Sequence, residues 1–149
     1  GMERNSDLII MASYAPLLIN VNPGAGQWYT NMIGFDANTS FASPSYYAQS
    51  LFAGHLGNGT AKTSLTGANP RFFQSSTVSS ADKVLHLKLV NASSVAQPLA
   101  ISLDGVSGNH TANITSLHAE TFEATNTITD PNVIHPIPST AKVSGATWQ

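Results

Sequence analysis

The chain has 149 residues, of which 42% are hydrophobic and 9% are charged, and its formal net charge is −2. This length accommodates one domain, or one domain and part of another. A net charge this small provides no basic field for a phosphate backbone or an anionic lipid surface, so we expect no nucleic-acid partner and no membrane partner. The chain has no cysteine, which excludes disulfides, thiolate nucleophiles and Cys-based zinc sites.

The first 57 residues combine short apolar runs with loops. Residues 3–11 predict the end of a helix, and residues 12–18 predict a short buried strand that runs into a loop. Ser43 and Pro44 predict a helix start, because serine is a favoured N-cap and proline is favoured at the first helical position.

The second part of the chain alternates apolar and polar residues with a period of two. Residues 84–90 place Leu85, Leu87 and Leu89 on one face, and residues 99–104 repeat the alternation after a turn, so two paired antiparallel strands are predicted. Several short strands separated by turn signals are typical of a β-sandwich or a barrel. Three further ranges are weaker strand candidates: 72–78, 111–117 and 142–147.

The composition changes once along the chain, near the Asn58-Gly59 turn signal. We therefore expect two regions, residues 1–57 and residues 58–149. Gly1 before Met2 looks like a tag remnant, and the chain stops at Gln149 without turn chemistry, so we expect a piece of a larger protein.

Several short motifs occur in a distinctive order along the chain. Residues 3–7 read Glu-Arg-Asn-Ser-Asp, residues 11–18 read Met-Ala-Ser-Tyr-Ala-Pro-Leu-Leu, and Trp28 and a Ser-Pro-Ser-Tyr-Tyr run at 43–47 follow. The second part has Leu-Lys-Leu-Val-Asn at 87–91 and, near the C-terminus, Asn126, Asp130-Pro131, Ile134 and Pro136. The motifs of the first part resemble the end of the catalytic barrel of the α-L-arabinofuranosidases of glycoside hydrolase family 51, and in particular their plant-like branch. Those of the second part resemble a strand and a C-terminal segment of the same family.

The resemblance implies a mainly β fold, in which a C-terminal jelly-roll-like antiparallel β-sandwich follows the last strand and helix of a (β/α)8 barrel. Residues 1–57 would be the terminal barrel segment, and residues 58–149 would be the sandwich, truncated before its last strand. The parent would hydrolyse terminal non-reducing α-L-arabinofuranosyl units of arabinoxylan or arabinan with retention, and we expect it to be secreted or periplasmic. The two glutamates that this chemistry requires precede residue 3 in the family, so we expect no catalytic residue and no cofactor here.

The carboxylates of the chain agree with this expectation. Glu120 and Glu123 lie in β-like sequence, and Asp104 and Asp130 are better explained by the turns in which they occur. Asp36, in the barrel-end region, is the one carboxylate that could support a site. The five histidines have no ligand spacing, so no metal site is predicted.

The resemblance leaves one region near the active site, the loop after the last barrel strand. Trp28 matches a family tryptophan there, and with Asn31 it is our candidate sugar contact, since aromatic faces pack on sugar rings and amides bind hydroxyls. Packing of Trp28 at the barrel rim is the alternative. We expect Phe72 and Phe73 to be core residues rather than a sugar platform.

The expected partners are the rest of the catalytic barrel and an arabinose-containing polysaccharide or oligosaccharide. A truncated sandwich leaves unpaired strand edges, so we also expect a homo-oligomer. The sandwich could be a carbohydrate-binding module or a structural accessory. We favour the structural accessory because the second part of the chain has few aromatic residues that could bind a sugar, namely Phe72, Phe73, Phe122 and Trp148.

Overall fold

The computed structural model describes residues 1–28, 31–144 and 147–148. The described residues form short strands, one α-helix and a single 3-10 turn at Glu3–Asn5. In chain order the elements are β1 (Leu18–Asn20), β2 (Ile33–Phe35), β3 (Ser40–Ala42), α1 (Pro44–Gly54), β4 (Gly59–Thr60), β5 (Phe72–Ser79), β6 (Val84–Asn91), β7 (Ile101–Ser102), β8 (Asn109–Ser116), β9 (Ile137–Ser144) and β10 (Thr147–Trp148).

The first sheet has the order β1-β2-β3, with β1 and β2 parallel and β3 antiparallel to β2. The predicted buried strand at residues 12–18 is wrong, because β1 begins only at Leu18 and residues 12–17 form no strand. Leu17 and Leu18 are both more than half exposed. Only Ile19 at the centre of β1 is buried, because the described chain covers one face of this short strand.

The N-terminal helix end that residues 3–11 predict is also wrong in extent. The structure has a single 3-10 turn at Glu3–Asn5, and residues 9–14 adopt no regular structure. Three residues of 3-10 helix are too few to bury an apolar face, which leaves the following residues without packing.

Helix α1 confirms its predicted start. It begins at Pro44, and the Oγ of Ser43 accepts a hydrogen bond from the backbone N of Tyr46 at 3.3 Å. This bond satisfies one of the amide groups that a helix start leaves without an intrahelical partner. The helix ends at Gly54.

The second sheet has the order β4-β5-β6 and is antiparallel throughout. The prediction of β6 is confirmed, but its predicted pairing with residues 99–104 is wrong. The partner of β6 is β5, and the ladder extends to a bond from Ala92 N to Arg71 O. Only Ile101–Ser102 of the other range is a strand, and it pairs with β10. Alternation predicts which face a strand buries but does not identify its partner.

Strands β8 and β9 are antiparallel, with eight residues of each strand paired. They are joined by a long loop, residues 117–136, and the pair is called the β8-β9 hairpin below. Strand β8 confirms the weaker candidate at 111–117 with shifted bounds. The candidate at 142–147 is confirmed only in part, because residues 142–144 belong to β9, residue 147 belongs to β10, and residues 145 and 146 lie outside the described residues. The mostly antiparallel, mainly β architecture agrees with the predicted β-sandwich fold class. No helix among the described residues is long and apolar enough to cross a membrane.

One face of the β5-β6 sheet is covered by the N-terminal part of the chain. Lys88 of β6 lies opposite Ser75 of β5, and both contact the carboxylate of Glu3. The ring of Phe52 in α1 lies 5.5 Å from the Lys88 ammonium. Glu3 and Phe52 therefore contact the side of the β5-β6 sheet on which Lys88 lies.

Candidate functional site

The two predicted sugar contacts lie in the connection between β1 and β2. Because these strands are parallel, the connection leaves the carboxyl end of β1 and returns to the amino end of β2. Trp28 is 66% exposed, so much of its side chain is accessible. Asn31 is buried two residues before β2, and within the described chain its Nδ2 has no hydrogen-bond partner.

Trp28 and Asn31 thus have different environments. The indole ring is already accessible and needs no rearrangement to contact a sugar ring. The Asn31 amide is a buried donor that would bond a ligand or another protein group reaching the amino end of β2. Buried donors without a partner are uncommon in folded proteins, so this group marks a place where a partner is expected.

Each carboxylate considered above is either exposed or committed to a turn. The side chain of Glu120 is 92% exposed and lies 3.6 Å from His118, and Glu123 is exposed. Asp104 is exposed in the turn before Gly105, which has a φ of 78°. The Asp130 backbone N donates to Thr127 Oγ1 at 3.0 Å. Retaining hydrolysis needs one carboxyl of raised pKa in a partly apolar pocket and a second beside it, which these surroundings do not provide.

Asp36 holds the turn between β2 and β3. Its Oδ1 accepts hydrogen bonds from the backbone N of Asn38 at 2.8 Å and of Thr39 at 2.7 Å, and from Thr39 Oγ1 at 3.2 Å. The Asn38 amide bond, followed by the Thr39 amide bond, lowers the pKa of Asp36 below its usual 3.8. The carboxylate is therefore committed to local structure rather than held ready to exchange a proton.

The histidines form one close pair, in which the rings of His55 and His86 meet edge to face at 5.8 Å. Within the described residues no three His, Cys, Asp or Glu side chains gather where they could hold a metal ion. Phe72 is buried, as predicted for a core residue, but Phe73 is 46% exposed and the prediction for it is wrong. Successive residues of a strand point to opposite faces, so two adjacent phenylalanines cannot share one core.

Sequence reasoning missed an ion pair that joins the chain's start to the second sheet. Glu3 Oε1 pairs with Lys88 Nζ, and Glu3 Oε2 accepts from Ser75 Oγ at 2.6 Å. The side chains of Lys88 and Glu3 are only 9% and 17% exposed. Each lies in a run that resembles the family, at 3–7 and 87–91, which is the signal that could have paired them.

Sequence reasoning also missed the role of Asn126, the most completely buried side chain described, at 1% exposure. Its Nδ2 donates to Ala42 O and to Ile134 O, both at 2.8 Å, and its Oδ1 accepts from Ile134 N at 2.8 Å. Asn126 therefore ties the loop before β9 to the end of β3, one residue before the N-cap of α1. Its place in the C-terminal segment that resembles the family was the available signal.

The comparisons with known proteins agree over the whole chain. The family model for the α-L-arabinofuranosidase C-terminal domain matches residues 1–149. α-L-Arabinofuranosidase A of Aspergillus kawachii is 35% identical over 151 residues, which cover 99% of this chain and 23% of the relative. The chain therefore spans about a quarter of the length of that curated relative.

The solved structures lead to the same family. The arabinose-bound MgGH51 α-L-arabinofuranosidase superposes with a TM-score of 0.88 at 35% identity, covering 99% of this chain and 23% of that one. An α-L-arabinofuranosidase from Thermotoga maritima, in an arabinose complex, superposes with a TM-score of 0.77 at 22% identity, covering 99% of this chain and 33% of that one. The second likeness supports the fold alone. On the evidence of the family model and the relatives, this chain belongs to the α-L-arabinofuranosidase C-terminal domain family.

Proposed function

We propose that this chain is the non-catalytic C-terminal part of an α-L-arabinofuranosidase. The whole protein removes terminal non-reducing α-L-arabinofuranosyl units from arabinoxylan or arabinan with retention of configuration. The chain acts as a structural accessory that covers one side of the catalytic barrel. Family membership and the names of the relatives support this proposal.

The observation that carries the proposal is a short apolar run, residues 8–11, that the described chain leaves largely uncovered. Ile10 is 96% exposed, Met11 is 86% exposed and Leu8 is 78% exposed. Leu17 and Leu18, which follow the half-buried Tyr14, are also more than half exposed. Contiguous apolar surface of this kind marks an interface, because each buried Å² of apolar area contributes about 25 cal/mol. The occupant that we propose is the catalytic barrel of the same protein.

The surroundings of the carboxylates support a non-catalytic role. Glu3 forms an ion pair with Lys88, Asp36 accepts the hydrogen bonds of a turn, and Glu120 is exposed to solvent. An acid/base and a nucleophile must instead be supplied by residues about 5 Å apart in another part of the protein.

The first test is hydrolysis of a chromogenic α-L-arabinofuranoside by the isolated chain and by the whole protein. The whole protein is expected to release the chromophore and an arabinose of retained anomeric configuration. The isolated chain is expected to release no chromophore. In the whole protein, Ile10→Asn is expected to lower the yield of folded enzyme because it places an amide in the proposed interface. Hydrolysis by the isolated chain would overturn the proposal.

We propose that Trp28 and Asn31 contact the sugar in the assembled enzyme. The exposed indole of Trp28 supports this role, as does the Nδ2 of Asn31, which has no hydrogen-bond partner among the described residues. Calorimetric titration of the whole protein with L-arabinose, the reaction product that the enzyme does not consume, tests it, with Trp28→Ala and Asn31→Ala as variants. Phe122→Ala is the matched control, because Phe122 is a 72% exposed aromatic outside this loop. Loss of heat with Trp28→Ala but not with Phe122→Ala supports the contact. Loss of heat with Phe122→Ala but not with Trp28→Ala favours a separate carbohydrate-binding module.

We also propose that the isolated chain self-associates through β6. Among the described residues this strand is bonded only to β5, and its apolar side chains Val84, Leu85, Leu89 and Val90 are each at least 40% exposed. An exposed apolar edge strand invites pairing with another chain. Light scattering is expected to show a dimer or larger species. Leu89→Lys should shift this species toward monomer. Val95→Lys, at an exposed site outside the strand, should leave the dimer or larger species unchanged. A monomer at high concentration would contradict this proposal.

A further inference from the structure

Five asparagines of the chain occur in Asn-X-Ser/Thr sequons, and the proposed function uses none of them. Five of the twelve asparagines have this context, although Ser and Thr fill only 32 of the 149 positions. All five asparagines are exposed. They are Asn38, Asn58, Asn91, Asn109 and Asn113.

Two of these asparagines share one face of β8. Asn109 and Asn113 are four residues apart, and alternate residues of a strand point to the same side. The hydroxyl residues that complete the sequons, Thr111 and Thr115, point to that side as well. The spacing places the two asparagines about 13 Å apart along the strand.

The partner strand completes a polar face. Ser144 lies opposite Asn109, Lys142 opposite Thr111, and Thr140 opposite Asn113. All of these side chains are exposed, and Lys142 Nζ donates to Thr111 Oγ1 at 2.9 Å. A face built from hydroxyl, amide and ammonium groups has no apolar area to bury against another protein.

The opposite face of the hairpin has the reverse character. Val143 is only 4% exposed, and Ala112, Ile114 and Ala141 are half-buried. The hairpin therefore has an inner, apolar face and an outer, polar face. A bulky hydrophilic group attached to the outer face would project into solvent.

The hydrogen bonds of the asparagines separate this pair from Asn91. Asn109 Oδ1 accepts from Ser144 Oγ at 3.0 Å, and none of the described hydrogen bonds uses Asn109 Nδ2 or the Asn113 side chain. Asn91 instead closes a turn with both ends of its amide. Its Nδ2 donates to Val95 O at 2.8 Å, and its Oδ1 accepts from Ser93 Oγ at 2.7 Å.

We propose that the outer face of the β8-β9 hairpin carries N-linked glycans at Asn109 and Asn113 when the protein passes through a eukaryotic secretory pathway. In the transfer, the asparagine Nδ2 bonds to the anomeric carbon of a lipid-pyrophosphate-linked oligosaccharide and loses a proton. The bond from that carbon to the pyrophosphate oxygen breaks, and the lipid pyrophosphate leaves. The glycans keep this face in solvent and block other proteins from docking on it.

The test is secretion of the protein from yeast, followed by peptide mass spectrometry after enzymatic glycan release in ¹⁸O water. Isotope label is expected at residues 109 and 113. Asn109→Gln and Asn113→Gln should each remove one glycan from the intact mass, and Thr111→Ala should do the same as Asn109→Gln. Thr111→Ser keeps the sequon and should retain the glycan.

A second measurement distinguishes the outer face from a buried one. Glycan release by peptide:N-glycosidase is expected to go to completion on the folded protein without denaturant. The melting temperature of the deglycosylated protein should equal that of the glycosylated protein. Unlabelled Asn109 and Asn113 in the secreted protein would overturn the proposal. Release that requires denaturant would equally overturn the assignment of this face to solvent. Neither result bears on arabinofuranoside hydrolysis, so the proposed function is tested separately.

Discussion

Asn126→Ala is expected to destabilise the chain more than any exposed substitution. The variant removes three hydrogen bonds of 2.8 Å, to Ala42 O, Ile134 O and Ile134 N. At about 1 kcal/mol each these amount to about 3 kcal/mol, and an unpaired amide at Ile134, which is 3% exposed, adds at least about 1 kcal/mol. The expected loss is therefore about 4 kcal/mol, a large part of the roughly 5–15 kcal/mol that stabilises a typical domain.

Urea and thermal unfolding followed by circular dichroism measure this loss. At about 3 °C per kcal/mol for a chain of this length, the melting temperature should fall by about 12 °C. Asn132→Ala is the matched control, because Asn132 is an exposed asparagine of the same loop, and its unfolding free energy should stay within about 0.5 kcal/mol of the original. A loss below about 1 kcal/mol for Asn126→Ala would refute the role of Asn126 as a tie between β3 and the loop before β9.

Three other changes test the packing and the charges. Gly34→Ala places a Cβ against the ring of Phe41, so calorimetry should show a loss of about 1–3 kcal/mol from overpacking. Lys88→Met leaves the Glu3 carboxylate mostly buried without its cation, and urea unfolding should show a loss of about 3 kcal/mol. The lowered pKa of Asp36 stabilises the fold above its usual pKa of 3.8, and this contribution is lost as the pH falls through the lower folded value, which acid titration of unfolding measures.

Each of these predictions has a control and an outcome that contradicts it. Gly54→Ala meets no atom within 4 Å and should stabilise α1 slightly, so equal effects of Gly34→Ala and Gly54→Ala would contradict the steric argument. Adding Glu3→Gln to Lys88→Met should recover stability, and further loss would contradict the ion-pair argument. Asp36→Asn should flatten the pH dependence below about pH 4, and an unchanged slope would assign that dependence to other groups.

Local chemistry was predicted correctly from the sequence. The start of α1 depends on Ser43 and Pro44, which act within one helical turn of themselves. The alternation at 84–90 likewise identifies β6, because the periodicity is a property of one strand. Features set by neighbouring residues can be predicted without knowledge of the fold.

Features that depend on distant residues could not be predicted in this way. The partner of β6 proved to be β5, and the apolar run at 12–18 proved to lack a covering surface in the described chain. The ties through Glu3 and Asn126 each join residues more than 70 positions apart. Sequence pattern alone contains no information on such pairings, although Glu3, Lys88 and Asn126 each lie in a motif that resembles the family.

The sugar-contact role of Trp28 and Asn31 stays a prediction, and the environments of the two side chains could not be predicted from the sequence. Trp28 has the exposure that a sugar contact requires, whereas Asn31 is buried, and a single sequence does not distinguish these environments. The turn role of Asp36 was not predicted, although it depends on amide groups only two and three residues later.

The most direct test of the central claim is to produce the whole protein as two separate chains divided just before residue 1, with any residues after 149 kept on the second chain. The account predicts that neither chain alone hydrolyses an α-L-arabinofuranoside, and that co-expression yields a complex that does, with Ile10→Asn weakening the association. Full activity of the upstream chain by itself, or hydrolysis by residues 1–149 alone, would contradict the account.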